Sequence, residues 1–159
     1  MPIRCRRALE SVRKRFPEVP VQIVLGGLAP DSSEPMEESM RAYVQQACRA
    51  VVITRQHGLE REMFAAIQQA YYLDARNPSD DDTLADLAHG FGLDHADFLA
   101  ALHSEETEAA LNKDFEIRRS MGANSFPSLG IERGGERMLV HRGWGDEELV
   151  LRILSSKLE

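Results

Sequence analysis

Through most of this chain, apolar residues recur at three- and four-residue steps, the signature of amphipathic helices. Ile3 to Phe16 carries Ala8, Leu9, Val12 and Phe16 on one face, with arginines and Lys14 opposite, and Pro17 ends it. From Pro35 to about His57, Met36, Met40, Tyr43, Val44, Ala47 and Val51 form a stripe, and Gly58 supplies a stop. Leu59 to Leu73 predicts a further helix with Met63, Ile67, Ala70 and Tyr71 inward and Tyr72 at the rim. Asn77 to Asp82 is a turn whose acids favour the next helix start. Short helices follow from Thr83 to His89 and beyond Gly92-Leu93-Asp94, the latter anchored by Phe98 and Leu102. Ser104 to Met121 is a longer one, with Leu111, Phe115 and Arg118 along one stripe and Gly122 after it.

The pattern changes in two places. Val19 to Leu25 is an apolar, β-branched run between Pro17 and Gly26-Gly27, which predicts a buried strand. Near the C-terminus, Ser128 to Arg133 and Met138 to Arg142 flank Gly134-Gly135 and predict a hairpin. A last helix starts at Asp146 and faces the sheet with Leu149, Val150, Ile153 and Leu154. Between helix and hairpin stands Ser125-Phe126-Pro127-Ser128. A proline entering a strand donates nothing to the ladder. Either it opens the strand with a trans bond, or a cis bond turns the chain into the sheet.

Composition narrows the function classes. The 159 residues are 43% apolar with a formal charge of −7, which suits a packed domain and argues against a general nucleic-acid binder. Arg4, Arg6, Arg7, Arg13, Lys14 and Arg15 read as the solvated face of the first helix. No apolar run approaches a membrane span, and the basic N-terminus lacks the apolar core of a secretory signal, so the expected compartment is the cytoplasm. The five histidines are scattered without metal-ligand spacing, no glycine-rich phosphate loop is present, and no cofactor is implied. Glu60, Glu62, Asp80, Asp81 and Asp82 read as solvated charge. The two cysteines, Cys5 and Cys48, form no CxxC. Cys48 lies in a helical apolar pattern, where a thiol behaves as a small hydrophobe.

The run from the helix end through Phe126-Pro127-Ser128, the apolar strand, Gly134-Gly135, the second strand, Gly143-Trp144 and an acidic helix start resembles the C-terminal half of DsbA-like thiol–disulfide oxidoreductases. Val21 to Leu28, Ala47 to Val51, and Asp82 through Leu93 and Phe98 resemble the same family, in its subgroup of bacterial protein-disulfide isomerases. The resemblance implies an α/β fold: a thioredoxin-like core at 1–34 and 122–159 with an all-helical insertion at 35–121. It also implies that the Phe126–Pro127 bond is cis. By the same resemblance, Ser125, Phe126 and Pro127 line a groove for a peptide or small thiol. A structural turn packing Phe126 into the core is the competing reading, and Trp144 is either a subgroup marker or core packing.

The chain departs from that family at its start. The N-terminal strand and the CxxC of relatives have no counterpart, and the stretch between Tyr43 and Ala47 is shortened. Cys5, at the start of the first helix among arginines, is then the candidate nucleophile, because a helix N-terminus and nearby cations favour thiolate. An ordinary exposed thiol is the alternative. Loss of the strand exposes a sheet edge. Direct pairing of Val21–Leu25 with Ser128–Ile131, an upstream start, or a second copy would cover it, and a homodimer is the expectation. Three functions remain open: an oxidoreductase relative with lost or altered redox activity, a redox-inactive binding module, and an oligomeric or truncated remnant.

Overall fold

The computed structural model describes residues 10–26, 38–143 and 147–158, with backbone alone at 38–43. The chain divides into two compact units, one of Met1–Asp31 with Ile117–Glu159, the other Ser32–Glu116. The elements in order are α1 (10–15), α2 (Glu38–Arg55), α3 (Glu60–Tyr72), α4 (Asp81–His89), α5 (His95–Leu102), α6 (Glu105–Ser120), β1 (Ser128–Arg133), β2 (Glu136–Arg142) and α7 (Glu147–Leu158). This is a mostly helical α/β protein with, among the described residues, a single two-stranded sheet.

The helical unit is built around α2. Ala50, Val51, Val52 and Ile53 are all buried. Four consecutive buried positions cover every side of a helix, so α2 is enclosed there rather than facing solvent on one side. Thr54 follows, fully buried, and its hydroxyl donates back to the Ala50 and Val51 carbonyls at 3.0 Å. That leaves no polar group of its side chain unmet. Met63 and Ala70 of α3, Leu84, Ala85 and Ala88 of α4, Phe98 and Leu102 of α5, and Leu111 of α6 complete the core.

Short helices need defined ends, and the polar residues between them supply these. The Asp80 carboxylate accepts from the Thr83 amide at 2.9 Å and its hydroxyl at 2.8 Å, capping α4. Asp94 caps α5 by accepting from the Asp97 amide at 3.0 Å, and the Ser104 hydroxyl accepts from the Thr107 amide at 3.1 Å at the start of α6. Gly58 at φ +73° and Gly92 at φ +87° take the left-handed turns that end or precede helices.

One charged cluster sits inside this unit. Asp114 of α6 is 2% exposed and receives two parallel hydrogen bonds from Arg55, Nη1 to Oδ1 at 3.0 Å and Nη2 to Oδ2 at 2.8 Å. Arg55 Nε donates to Glu60 at 2.7 Å. The Asp114 bonds raise the already high Arg55 pKa, burial opposes them by a smaller amount, and the Glu60 contact adds to the rise, so the guanidinium stays charged. Nearby, Arg49 donates to the Leu102 carbonyl at 3.1 Å and pairs with Glu108, while Asp81 accepts from Gln46 at 2.6 Å and lies 2.5 Å from His103 Nε2.

Three expectations are corrected. Val19–Leu25 forms no regular strand: Pro17 and Pro20 remove donors, and the ladder of the described sheet joins only β1 and β2. Leu25 is nevertheless buried, so the run is an apolar anchor in irregular backbone. Tyr71 does not point inward. Ala70 takes the inward position of the last α3 turn, the next step of the helix turns Tyr71 outward, and it is 49% exposed. Glu60, Asp80 and Asp81, expected as plain solvated charge, are a salt-bridge partner, a cap and a link between helices.

Truncating Asp114 to Ala would leave Arg55 without its principal partner. A loss of about 3 kcal/mol in urea unfolding is expected, the low end for a broken buried pair because Arg55 is partly open to water. Asp80 gives a pH signature. Thr83 holds its carboxyl below the usual carboxylate range. Its contribution is therefore present above the unfolded-state pKa and fades as pH falls through the folded one. Asp80→Asn, which caps without titrating, should flatten the unfolding midpoint between about pH 5 and 2 relative to wild type.

Candidate functional site

The loop between α6 and β1 is held from both sides. At its entry, Gly122 at φ +64° ends α6: its amide donates to the Arg119 carbonyl at 3.0 Å, and the Ala123 amide donates to Arg118 at 3.1 Å. These are the paired bonds of a Schellman stop, which requires the left-handed residue glycine allows. Ala123, buried at 6% exposure, anchors the turn. Arg142 at the end of β2 also holds the entry, donating Nη2 to the Gly122 carbonyl at 3.1 Å, and at the exit the Gly143 amide donates to the Pro127 carbonyl at 2.8 Å.

Within the loop the Phe126–Pro127 bond is cis. The Ser128 hydroxyl closes it by donating to the Ser125 carbonyl at 2.6 Å. The Phe126 ring, 39% exposed, sits against Gly26, and a Cβ at that position would collide with Cζ and Cε1. Among the described residues, the Phe126 amide and carbonyl make no intramolecular hydrogen bond. Both therefore remain able to bond another chain in extended conformation.

The strand that follows packs closely as well. A Cβ on Gly130 would lie 2.5 Å from Met121 Sδ and 3.3 Å from the Met138 carbonyl oxygen. Among the described residues, Arg118 Nε and Nη1 and His141 Nε2 are buried without hydrogen-bond partners. The hairpin turn is Gly134-Gly135, at φ +62° and +83°, the geometry of a two-residue turn with both central residues left-handed. Register shifts between Leu129 and Gly130, where β2 carries the extra residue Val140.

Of the expected site residues, Ser125, Phe126 and Pro127 come together in this loop, with Ser125 and Phe126 exposed and Pro127 half-buried. Cys5 and Trp144 lie outside the described residues. Cys48 is half-buried on α2. Sequence reasoning did not find the Arg142 and Gly143 contacts or the Phe126 seat on Gly26. The one available signal was Gly26 itself, at the end of an apolar run, and it named no partner.

A family model described as thioredoxin matches residues 47–133, more than half of the chain. The chain belongs to the thioredoxin family, in its DsbA-like branch. A solved structure described as a "putative protein disulfide isomerase from Nitrosomonas europaea" superposes with a TM-score of 0.75 at 23% identity, covering 96% of this chain and 88% of that one. This likeness establishes a shared fold. Among curated proteins, no significant match is found. No helix among the described residues of this thioredoxin-family chain is long and apolar enough to cross a membrane.

The seat of Phe126 can be tested by a pair of substitutions. Gly26→Ala should destabilise the protein by about 1–3 kcal/mol through overpacking against the ring. Removing the ring with Phe126→Ala should recover most of that loss when the two are combined. Urea midpoints of the four proteins in this cycle measure the coupling.

Proposed function

We propose that this thioredoxin-family chain holds an extended peptide or small thiol at Ser125-Phe126-Pro127, with disulfide exchange lost or altered relative to its DsbA-like relatives. In this reading the core is thioredoxin-like, and the helices from 35 to 121 are its insertion. The observation that carries the reading is the unused Phe126 backbone beside the exposed ring. An added strand gains affinity from main-chain bonds and specificity from side-chain pockets, and neither needs a cysteine.

The redox part rests on the thiol inventory. Cys5 is the nucleophile in this reading, with Arg4, Arg6 and Arg7 favouring its thiolate. Its attack on a substrate disulfide would form a mixed disulfide and release the other substrate sulfur as a thiolate. A CxxC enzyme resolves that adduct with its second cysteine. These 159 residues hold no CxxC, so a small external thiolate would have to attack the substrate sulfur of the adduct, releasing Cys5 as the thiolate and leaving as a mixed disulfide with the substrate.

Two assays test this. Insulin reduction in dithiothreitol should proceed no faster with the protein than without it. A labelled unfolded peptide should bind, and Phe126→Ala should weaken it by about five-fold, roughly 1 kcal/mol, while Cys5→Ser leaves affinity unchanged and abolishes the trapped adduct. Catalysed turnover at the level of a dithiol enzyme, or peptide affinity indifferent to Phe126, would contradict the reading.

A further inference from the structure

We infer that the outer edge of β1 is an interface for a second copy of this chain, paired antiparallel about a two-fold axis through Gly130. The ladder alternation sets which groups face outward. Arg133 and Glu136 flank the two-residue turn and exchange bonds, as do Ile131 and Met138. Glu132 and Gly130 therefore direct their amides and carbonyls to the other edge, and Ser128 does so beyond the bulge, consistent with the Gly143 to Pro127 bond on the inner side. Among the described residues, nothing bonds to that outer edge.

A two-stranded ribbon is marginal alone, and an open edge is a template for pairing. The chemistry of β1 favours its own copy as the occupant. Placing Gly130 opposite its symmetry mate sets Leu129 across from the partner's Ile131, and Ile131 across from the partner's Leu129. Both are apolar pairs at the close, non-hydrogen-bonded spacing. On the other face Ser128 meets the partner's Glu132, a neutral side chain against a carboxylate, so no like charges stand opposite. About six main-chain bonds form in a four-stranded sheet. Shifting the register by two residues toward the turn sets Leu129 against the partner's Arg133 and leaves one apolar pair, Ile131 with the partner's Ile131, in place of two. An isologous contact of this kind closes on itself and stops at the dimer. It ends before Phe126, whose position falls opposite the partner's turn, so the peptide-binding loop is not consumed.

The full chain provides the test. Sedimentation across a concentration series should show a dimer, and Glu132→Pro should shift it to monomer with an unchanged circular dichroism spectrum, because its outward amide has no partner among the described residues. Glu132→Ala should remain dimeric, since only the backbone bond matters there. In a Cys5→Ser, Cys48→Ser background, Ser128→Cys with Glu132→Cys should form an intermolecular disulfide on oxidation. The two positions lie about 5.5 Å apart across the proposed pair but roughly 13 Å apart within one strand. A wild-type monomer at every concentration, a dimer that survives Glu132→Pro without the cross-link, or a monomer that takes only an added peptide on this edge would each overturn the inference.

Discussion

The candidate site depends on how the chain leaves α6. A helix end must satisfy its last carbonyls or expose them, and here Gly122 and Ala123 do this by folding back on Arg119 and Arg118. That reversal fixes the direction in which Ala123 to Ser128 departs. Arg142 and Gly143 then clamp the same loop from the far end of the hairpin. With both ends held, the Phe126 backbone stays out of the internal hydrogen-bond network without the loop losing its course. A binding surface made of main chain needs this combination of rigid flanks and an uncommitted centre.

Much of the helical unit was legible because helices report their faces locally. Met63, Leu84, Phe98, Leu102 and Leu111 recur at the helical period, and Asp80, Asp94 and Ser104 announce the starts. The hairpin was equally plain, because Gly134-Gly135 between alternating segments has one economical geometry. What stayed hidden was tertiary. Nothing near Asp114 in sequence says that its carboxylate is enclosed by a residue of α2 fifty-nine positions earlier. Val19 to Leu25 has strand composition, yet a strand exists only through its ladder, and the described sheet consists of β1 and β2 alone. Tyr71 sat on the expected apolar stripe, but a helix can outrun the core it packs on.

The site shows the same division. Local sequence left the Pro127 bond open between two isomers, family resemblance pointed to cis, and the structure has it cis. The loop's anchors could not be found that way. Gly26 and Phe126 are a hundred positions apart, and the absence of a side chain at one is meaningful only once the ring of the other is seen resting on it.

The arginine that ends α2 has a consequence for how the helical unit comes apart. It grips the start of α3 through Glu60 and the interior of α6 through Asp114. Drift of α6 from α2 would strand the enclosed Asp114 carboxylate, and drift of α3 would take Glu60 from Arg55, so the partial states between closed and open are the unfavourable ones. The three segments therefore behave as one cooperative block, and gradual fraying is confined to ends that lie away from this triad.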